Sequence, residues 1–230
     1  LQGGLTMCGR YTARTTQTDL INHFSAKGVL FDHSERFNIA PSQDVSAITA
    51  LERPDQRILE KLRWGLVPFW ARDTSMASRM INARSETVFE KPAFRGAIRS
   101  RRCLIPTTGF YEWHQKTKVP HLISLNSAPL FAFAGLYEEW TAPDGSPLRS
   151  CTILTTEAND TIRSLHERMP VIIHPRNYSL WLDARIKTNL ELSHLFYPWS
   201  ESDTVVWEVS KRVGNVVNDD ALLMEKATLL

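Results

Sequence analysis

The sequence predicts one α+β domain whose core is a curved, mostly antiparallel β-sheet or small barrel, surrounded by helices. The middle of the chain, residues 102–155, alternates apolar strand-like runs with short polar turns, which is typical of antiparallel sheets rather than βαβ units. Amphipathic helical patterns lie before and after this region. At 230 residues with 43% hydrophobic content, the chain can bury one substantial core.

Each element has a local signal. In chain order we predict a strand at 8–12; a helix capped by Thr15 or Thr16 and ended by Gly28; an extended piece at 36–41; a hairpin over 45–51 and 57–66; an aromatic loop at 67–78; short helices up to residue 99; strands at 102–107, 109–113, 119–125, 130–137 and 148–155; a helix capped by Thr156; an extended piece at 169–173; two amphipathic helices; and a strand at 205–209. The loop aromatics Phe69 and Trp70 either contact a partner or fold back on the core.

Composition excludes several classes. The net charge of +2 gives no global signal for nucleic acid, so any basic surface must be local. The three cysteines, Cys8, Cys103 and Cys151, form no CxxC pair, which argues against a disulfide framework or a zinc site and for a reducing compartment. No run is long enough to span a membrane and no signal peptide is visible. We expect a soluble, cytoplasmic protein without metal or cofactor.

The N-terminal region contains the most unusual candidate residue. We interpret residues 1–6 as a cloning scar or short leader, 7–220 as the domain and 221–230 as a tail. Met7 resembles a natural start, and its removal would make Cys8 the first residue. An N-terminal cysteine combines a thiol with an α-amine of reference pKa about 7.7–8.0, against about 10.4 for lysine. Both groups can react with one aldehyde carbon, giving a Schiff base and then a thiazolidine. The alternative is a small buried structural residue.

Four other polar residues are candidates for chemistry. Glu112 lies between aromatics in a strand whose alternation puts Phe110 and Glu112 on one face, where desolvation would raise the carboxyl pKa; the alternative is a solvated edge strand. His166 follows a helix, and histidine titrates near neutral pH; the alternative is a structural histidine, which the residue type alone favours. Asn82 and Arg84 can point the same way to hold a polar substrate and an anion, or serve as capping and surface residues.

Ordered motifs across the chain resemble one family. The matching segments are residues 7–11 (MCGRY), 36–41 (RFNIAP), 64–68 (WGLVP), 81–87 (INARSET), 102–106 (RCLIP), 109–113 (GFYEW), 165–170 (LHERMP) and 213–216 (VGNV). Together they resemble the SOS response-associated peptidase (SRAP) family, from Met7 to about Asn218.

The resemblance implies roles for individual residues. Cys8 would be the nucleophile, Asn82 would orient the sugar or the cysteine, and Glu112 and His166 would transfer protons. For opening the sugar, His166 is the better candidate and Glu112 its base partner, although the sequence alone allows the two to be exchanged. The positions matching the DNA path are Arg10, Trp70, Arg84, Trp113 and Arg168. Only Trp70 is a loose match, because some relatives have two tryptophans where this chain has Phe69 and Trp70.

The resemblance also implies a function. We expect a monomer in the DNA damage response that binds single-stranded DNA and forms a thiazolidine crosslink between Cys8 and the aldehyde of an abasic site, with nucleoid association when bound and no membrane contact. Aromatic stacking and arginine contacts with phosphate would hold the strand. The enzyme class that the resemblance implies is a peptidase or lyase. Two alternatives remain: a thiol peptidase that uses Cys8 to remove its own leader, and a non-catalytic module that binds single-stranded DNA.

Overall fold

The computed structural model describes residues 8–227, so the predicted leader, Met7 and the end of the predicted tail lie outside the described residues. The strands are β1 (Tyr11–Ala13), β2 (Ala26–Val29), β3 (Arg36–Ile39), β4 (Asp44–Ala50), β5 (Arg57–Trp64), β6 (Asn82–Arg84), β7 (Arg102–Thr107), β8 (Gly109–Trp113), β9 (Pro120–Leu125), β10 (Phe131–Thr141), β11 (Pro147–Glu157), β12 (Arg168–Pro170) and β13 (Thr204–Glu208). The α-helices are α1 (Gln17–Phe24), α2 (Ala97–Ser100), α3 (Asp160–Arg163), α4 (Tyr178–Leu182) and α5 (Asn189–Leu192), and short 3-10 turns join several elements.

A closed ring of five strands forms the centre of the fold. Neighbours follow the order β11, β10, β7, β4 and β5, and each of these pairs is antiparallel. The ring closes through a parallel contact between β5 and β11, in which Arg63 and Trp64 pair with Ser150 and Cys151. β2, β6 and β12 extend the ring at its edges. The predicted mostly antiparallel small barrel is confirmed.

A second sheet brings the start of the chain against the ring. Its order is β13, β9, β8, β1 and β3, all antiparallel. β8 follows β7 after one residue and begins with Gly109, on which a Cβ would lie 2.9 Å from the carbonyl oxygen of Ile123, so only glycine fits this close approach. The sheet therefore places β1 beside β8.

Two large apolar clusters stabilise these layers. One fills the space between the ring and the second sheet, and its aromatic members include Tyr11, Trp64 and Phe133, whose rings meet edge to face. The other lies between the ring and helices α1, α2, α4 and α5, with Trp181 fully buried. A smaller third cluster includes Leu223, so part of the predicted tail packs on the second sheet.

Three predicted details of the helices are wrong. α1 begins after Thr16 as predicted but ends at Phe24, because Ser25 adopts the left-handed conformation with φ 52° and caps the helix. Gly28 instead lies in β2, where a Cβ would be 3.1 Å from the Ile58 side chain. Thr156 belongs to β11, and the cap of α3 is Asn159, whose side chain accepts from the N–H of Ile162. Turns replace most of the helices predicted before residue 99.

Candidate functional site

The candidate site begins where β5 and β6 lie in series along one edge of β11. The N–H of Gly65 donates to the carbonyl of Cys151 at 2.9 Å, and the N–H of Ile153 donates to the carbonyl of Ile81 at 3.0 Å. The chain thus leaves and rejoins the same edge, and the intervening residues include the predicted aromatic loop. Gly65 permits the departure, since its φ is 126° and a Cβ would lie 2.9 Å from a backbone oxygen of Ala77.

The aromatic loop is exposed. Phe69 is 65% and Trp70 48% accessible, so neither side chain folds into the core. Trp70 lines a pocket of about 590 Å³ together with Asn82 and Arg84 from β6; its other walls include Met80 and Lys91. We call this the loop pocket. Three of the residues predicted to act on the substrate or on DNA are therefore brought together.

Cys8 and Glu112 meet in the interior. The backbone N–H of Cys8 donates to Oε1 of Glu112 at 2.7 Å. Pairing of β1 with β8 explains the contact, because Tyr11 lies opposite Phe110 and Cys8 precedes β1. Glu112 is only 3% accessible and β8 lies between β1 and β9, so the alternative of a solvated edge strand is wrong. The predicted alternation holds, because Phe110 packs in the same cluster as Cys8.

Burial controls the electrostatics of this pair. Desolvation raises the pKa of Glu112 to about 8, although hydrogen bonds from the backbone of Cys8 and Trp113 oppose the shift. Desolvation also raises the pKa of the Cys8 thiol well above its usual value, and the charge of Glu112 adds to that effect. At neutral pH the carboxyl is mostly protonated and the thiol is uncharged. Both groups are therefore mainly uncharged in the folded protein at neutral pH.

His166 lies three residues after the end of α3 and is half-buried. Its Nδ1 accepts a hydrogen bond from the backbone N–H of Arg168 at 3.1 Å, so the neutral ring carries its proton on Nε2. Desolvation lowers its pKa, which favours that neutral form at pH 7. Within residues 8–227 no hydrogen bond joins His166 to Cys8 or Glu112. The neighbouring Leu165 belongs to the same apolar cluster as Cys8.

The predicted DNA-path arginines differ in their surroundings. Arg84 is exposed at the end of β6. Arg168 pairs with the carboxylate of Glu86, with Nη2 to Oε2 at 2.8 Å, and donates to the carbonyl of Thr155 at 2.7 Å. Such contacts hold the guanidinium in one orientation.

Arg10 and Trp113 form a second group. The Arg10 guanidinium lies 5.9 Å from the centre of the Trp113 ring. Its Nη1 donates to Oδ1 of Asn38 at 2.8 Å and to the carbonyl of Val213 at 2.6 Å. Arg10 lies two residues after Cys8 in the sequence, and Trp113 directly follows Glu112.

In the described part of the chain, no group of three or more histidine, cysteine, aspartate or glutamate side chains is arranged to hold a metal ion. None of the helices described is both long and apolar enough to cross a membrane.

Comparison with known proteins identifies the family. The model of the family described as SOS response associated peptidase (SRAP) matches residues 7–216. This chain belongs to the SRAP family.

Relatives of the SRAP chain come from bacteria and eukaryotes. It is 42% identical over 224 residues to the abasic site processing protein YoqW of Bacillus subtilis (strain 168), covering 95% of this chain and 99% of that protein. The abasic site processing protein YMR114C of Saccharomyces cerevisiae is 32% identical over 198 residues, which is 82% of this chain and 52% of the yeast protein. The abasic site processing protein HMCES of Gallus gallus is 30% identical over 190 residues, covering 71% and 56% of the two chains.

Solved structures share the fold of this SRAP domain. A protein from Bacteroides thetaiotaomicron superposes with a TM-score of 0.86 at 24% identity, covering 96% of this chain and 100% of that one. A protein from Bordetella bronchiseptica gives a TM-score of 0.74 at 26% identity, covering 88% and 100%. The ring and second sheet are therefore the SRAP architecture.

One residue of the SRAP domain was missed as a candidate. Asn38 is fully buried in β3, and its side-chain amide donates to the carbonyls of Val213, Asn215 and Asn218 at 3.2, 3.0 and 2.6 Å. With its bond to Arg10, it joins the C-terminal segment to the site. A polar residue between Phe37 and Ile39 in a strand was the available signal, because a buried amide must find partners.

Proposed function

We propose that this SRAP chain processes abasic sites, and that it does so by binding single-stranded DNA and linking Cys8 covalently to the opened sugar. Relatives named abasic site processing proteins, one of them 42% identical over nearly the whole chain, support the substrate. The observation that carries the chemistry is the 2.7 Å contact between the Cys8 nitrogen and the buried carboxyl of Glu112.

The reaction requires cleavage before Cys8. While Met7 precedes it, the nitrogen of Cys8 is an amide and is not nucleophilic. After cleavage an α-amine occupies the same position beside Glu112. Its lone pair attacks the C1′ aldehyde of the opened abasic sugar, forming a carbinolamine. Loss of the hydroxyl with one added proton gives an iminium ion and releases water.

The thiol completes the ring. The Cys8 sulfur attacks the iminium carbon as the thiol proton leaves, and the nitrogen becomes an amine again. The product is a five-membered thiazolidine, and one water molecule is the sole by-product. The thiol and the reacting nitrogen belong to the same residue. Ring closure is therefore intramolecular and needs no further encounter between molecules.

Glu112 and His166 supply the proton transfers. A carboxyl with a pKa of about 8 is both a competent acid and, after donation, a competent base near neutral pH. The Glu112 carboxyl lies beside the reacting nitrogen. We therefore assign Glu112 the protonation of the carbinolamine hydroxyl, which then leaves as water. His166 carries its proton on Nε2, and we assign it proton donation to the ring oxygen as the sugar opens.

The DNA contacts follow from the exposed groups. Trp70 offers a stacking surface beside Asn82 and Arg84 in the loop pocket. Stacking on aromatics and pairing of arginine with phosphate recognise an unpaired strand without a large net charge. Asn82 is placed between this pocket and the edge of β11, where we assign it orientation of the sugar.

A thiol peptidase that removes its own leader is the second candidate, since it would use the same residues. Such enzymes work through a thiolate, usually paired with imidazolium. Here burial raises the thiol pKa and His166 makes no hydrogen bond to Cys8 within residues 8–227. These observations favour the amine-directed chemistry over general proteolysis.

The test uses protein that begins at Cys8, mixed with abasic single-stranded DNA and separated on a denaturing gel. We expect a stable crosslink that is lost in Cys8→Ala and retained in the matched control Cys103→Ala, which removes another buried thiol. Protein with Met7 still attached, or with its α-amine acetylated, should bind DNA without forming the crosslink. A crosslink that survives Cys8→Ala would refute the proposal.

A further inference from the structure

A second cleft lies beyond the candidate site. His174, Arg176, His194, Tyr197 and Trp199 line a cavity of about 270 Å³, which we call the histidine cleft. None of its described lining residues is acidic. Tyr197 is 74% accessible, so an aromatic face is presented to solvent. Two imidazoles, one guanidinium and two aromatic rings suit a ligand that combines a flat base with a negative charge.

The aromatic platform of the histidine cleft is preformed. The rings of His174 and Trp199 stack with centres 5.8 Å apart and planes inclined by 20°. The indole N–H of Trp199 donates to Asp203 at 2.8 Å, and its carbonyl accepts from the side chain of Asn159 at 2.9 Å. Ordering these rings costs little on binding, because they are already fixed.

A groove connects this cleft to the candidate site. The lining of a cavity of about 340 Å³ includes Ser85, Glu86 and Glu157 together with Tyr197 and Pro198. Tyr197 and Pro198 also line the histidine cleft, whereas Ser85 directly follows Arg84 of the loop pocket. The middle cavity therefore shares residues with the histidine cleft and adjoins the loop pocket through consecutive residues of the chain.

The backbone sets the length of this path. β12 begins at Arg168 and the chain continues, with Ile172 bridged to Phe133, to His174 in the histidine cleft. Six residues of extended chain span at most about 20 Å. This is a distance that a few nucleotides of an unpaired strand can cover.

We propose that the histidine cleft binds the same DNA strand on one side of the abasic site, stacking a base on its aromatic rings and contacting a phosphate through Arg176. This inference rests on the proposed function for the identity of the strand. The connecting groove carries Glu86, paired with Arg168, and the exposed Glu157. The phosphates are consequently held at the two ends of the path rather than at its middle.

The experiment measures non-covalent binding by fluorescence anisotropy with Cys8→Ala protein. The DNA carries a chemically inert tetrahydrofuran in place of the abasic sugar and is lengthened either on its 5′ side or on its 3′ side. We expect added nucleotides to tighten binding on one side only. Tyr197→Ala should weaken binding of the long DNA by about five- to 150-fold, as expected for the loss of one stacked base. Binding of the short DNA should not change.

Charge variants test the phosphate contact. Arg176→Ala should reduce the slope of log affinity against log salt by about 1 for long DNA. Its matched control is Arg53→Ala, which removes one exposed positive charge from the β4–β5 turn. Leu51→Ala is the control for Tyr197→Ala, because it truncates another exposed apolar residue. Glu157→Gln should tighten binding of long DNA only.

The outcomes separate the two proposals. Equal gains on both sides, or gains that persist in Tyr197→Ala and Arg176→Ala, would overturn the histidine cleft as a strand site. If binding follows the expected pattern but wild-type protein starting at Cys8 forms no crosslink, the covalent function fails while the cleft stands. If short DNA binds and crosslinks but length has no effect, only the cleft fails.

Discussion

Replacing Glu112 by glutamine tests the proton chemistry most directly. Glutamine keeps the size of the side chain and an oxygen that can accept from the Cys8 nitrogen, but it cannot transfer a proton. With a carboxyl pKa of about 8, roughly nine in ten wild-type molecules carry the protonated acid at pH 7. The α-amine is mostly protonated at that pH, since its reference pKa is about 7.7–8.0.

The pH profile follows from these two values. The reactive form needs a neutral amine and a protonated Glu112, so the rate rises with amine deprotonation and falls with carboxyl deprotonation. The product of the two fractions gives a bell-shaped profile, which falls on the acid side as the amine gains its proton and on the alkaline side as the carboxyl loses its proton. Because amine and carboxyl are in contact, the two apparent pKa values of the rate profile describe the pair rather than either group. In Glu112→Gln, the crosslinking rate should no longer fall at alkaline pH.

The assay is a quenched time course of crosslink formation between pH 6 and pH 9, with protein that begins at Cys8 and saturating abasic DNA. We expect Glu112→Gln to slow the reaction by about 100-fold or more, the usual contribution of general acid catalysis. Glu138→Gln is the matched control, since Glu138 is a buried carboxylate that pairs with Arg101 away from Cys8. An unchanged alkaline limb in Glu112→Gln would refute the assignment of Glu112 as the acid.

Three further predictions follow from burial and bonding. Folding raises the pKa of Glu112 from 4.5 to about 8, so this group's contribution to stability is present below pH 4.5 and is lost as pH rises through 8. Wild type should therefore lose on the order of 3 kcal/mol relative to Glu112→Gln between pH 5 and pH 8 in denaturant titrations; a constant difference would contradict the raised pKa. Trp70→Ala should weaken binding of single-stranded DNA by about five- to 150-fold with an unchanged Tm, whereas Leu51→Ala should change neither quantity; equal binding by both variants would exclude Trp70 from the interface. Asn38→Ala should reduce the free energy of unfolding by about 2–4 kcal/mol, because it removes a buried side-chain amide with four hydrogen-bond contacts; a loss below about 0.5 kcal/mol would show that water replaces them.

Strands were predictable where a local signal sets both their ends. β7 and β8 have the predicted bounds, because the two apolar runs are separated by Thr108 and the second run begins with a glycine. The end of α1 was not predictable in this way, since a serine adopts the left-handed conformation more commonly supplied by glycine. The closing contact between β5 and β11 joins residues far apart in sequence, and alternation along one strand carries no information about its neighbours.

The candidate site was predictable in residue type but not in energetics. Cys8 and Glu112 were both identified, yet they are 104 positions apart, and only the sheet brings their atoms together. The raised pKa of Glu112 depends on the packing of three strands around it, which no single segment encodes. The histidine cleft was not predictable from a sequence motif, because its aromatic and basic side chains come from separate turns of the chain.

A ring with an odd number of strands cannot alternate direction all the way round. Five strands must include at least one pair running the same way, and in this domain that mismatch falls between β5 and β11. β6 also runs parallel to β11 and continues along the same edge after β5 ends. The loop that carries Trp70 leaves the edge of β11 where β5 ends and returns to it where β6 begins.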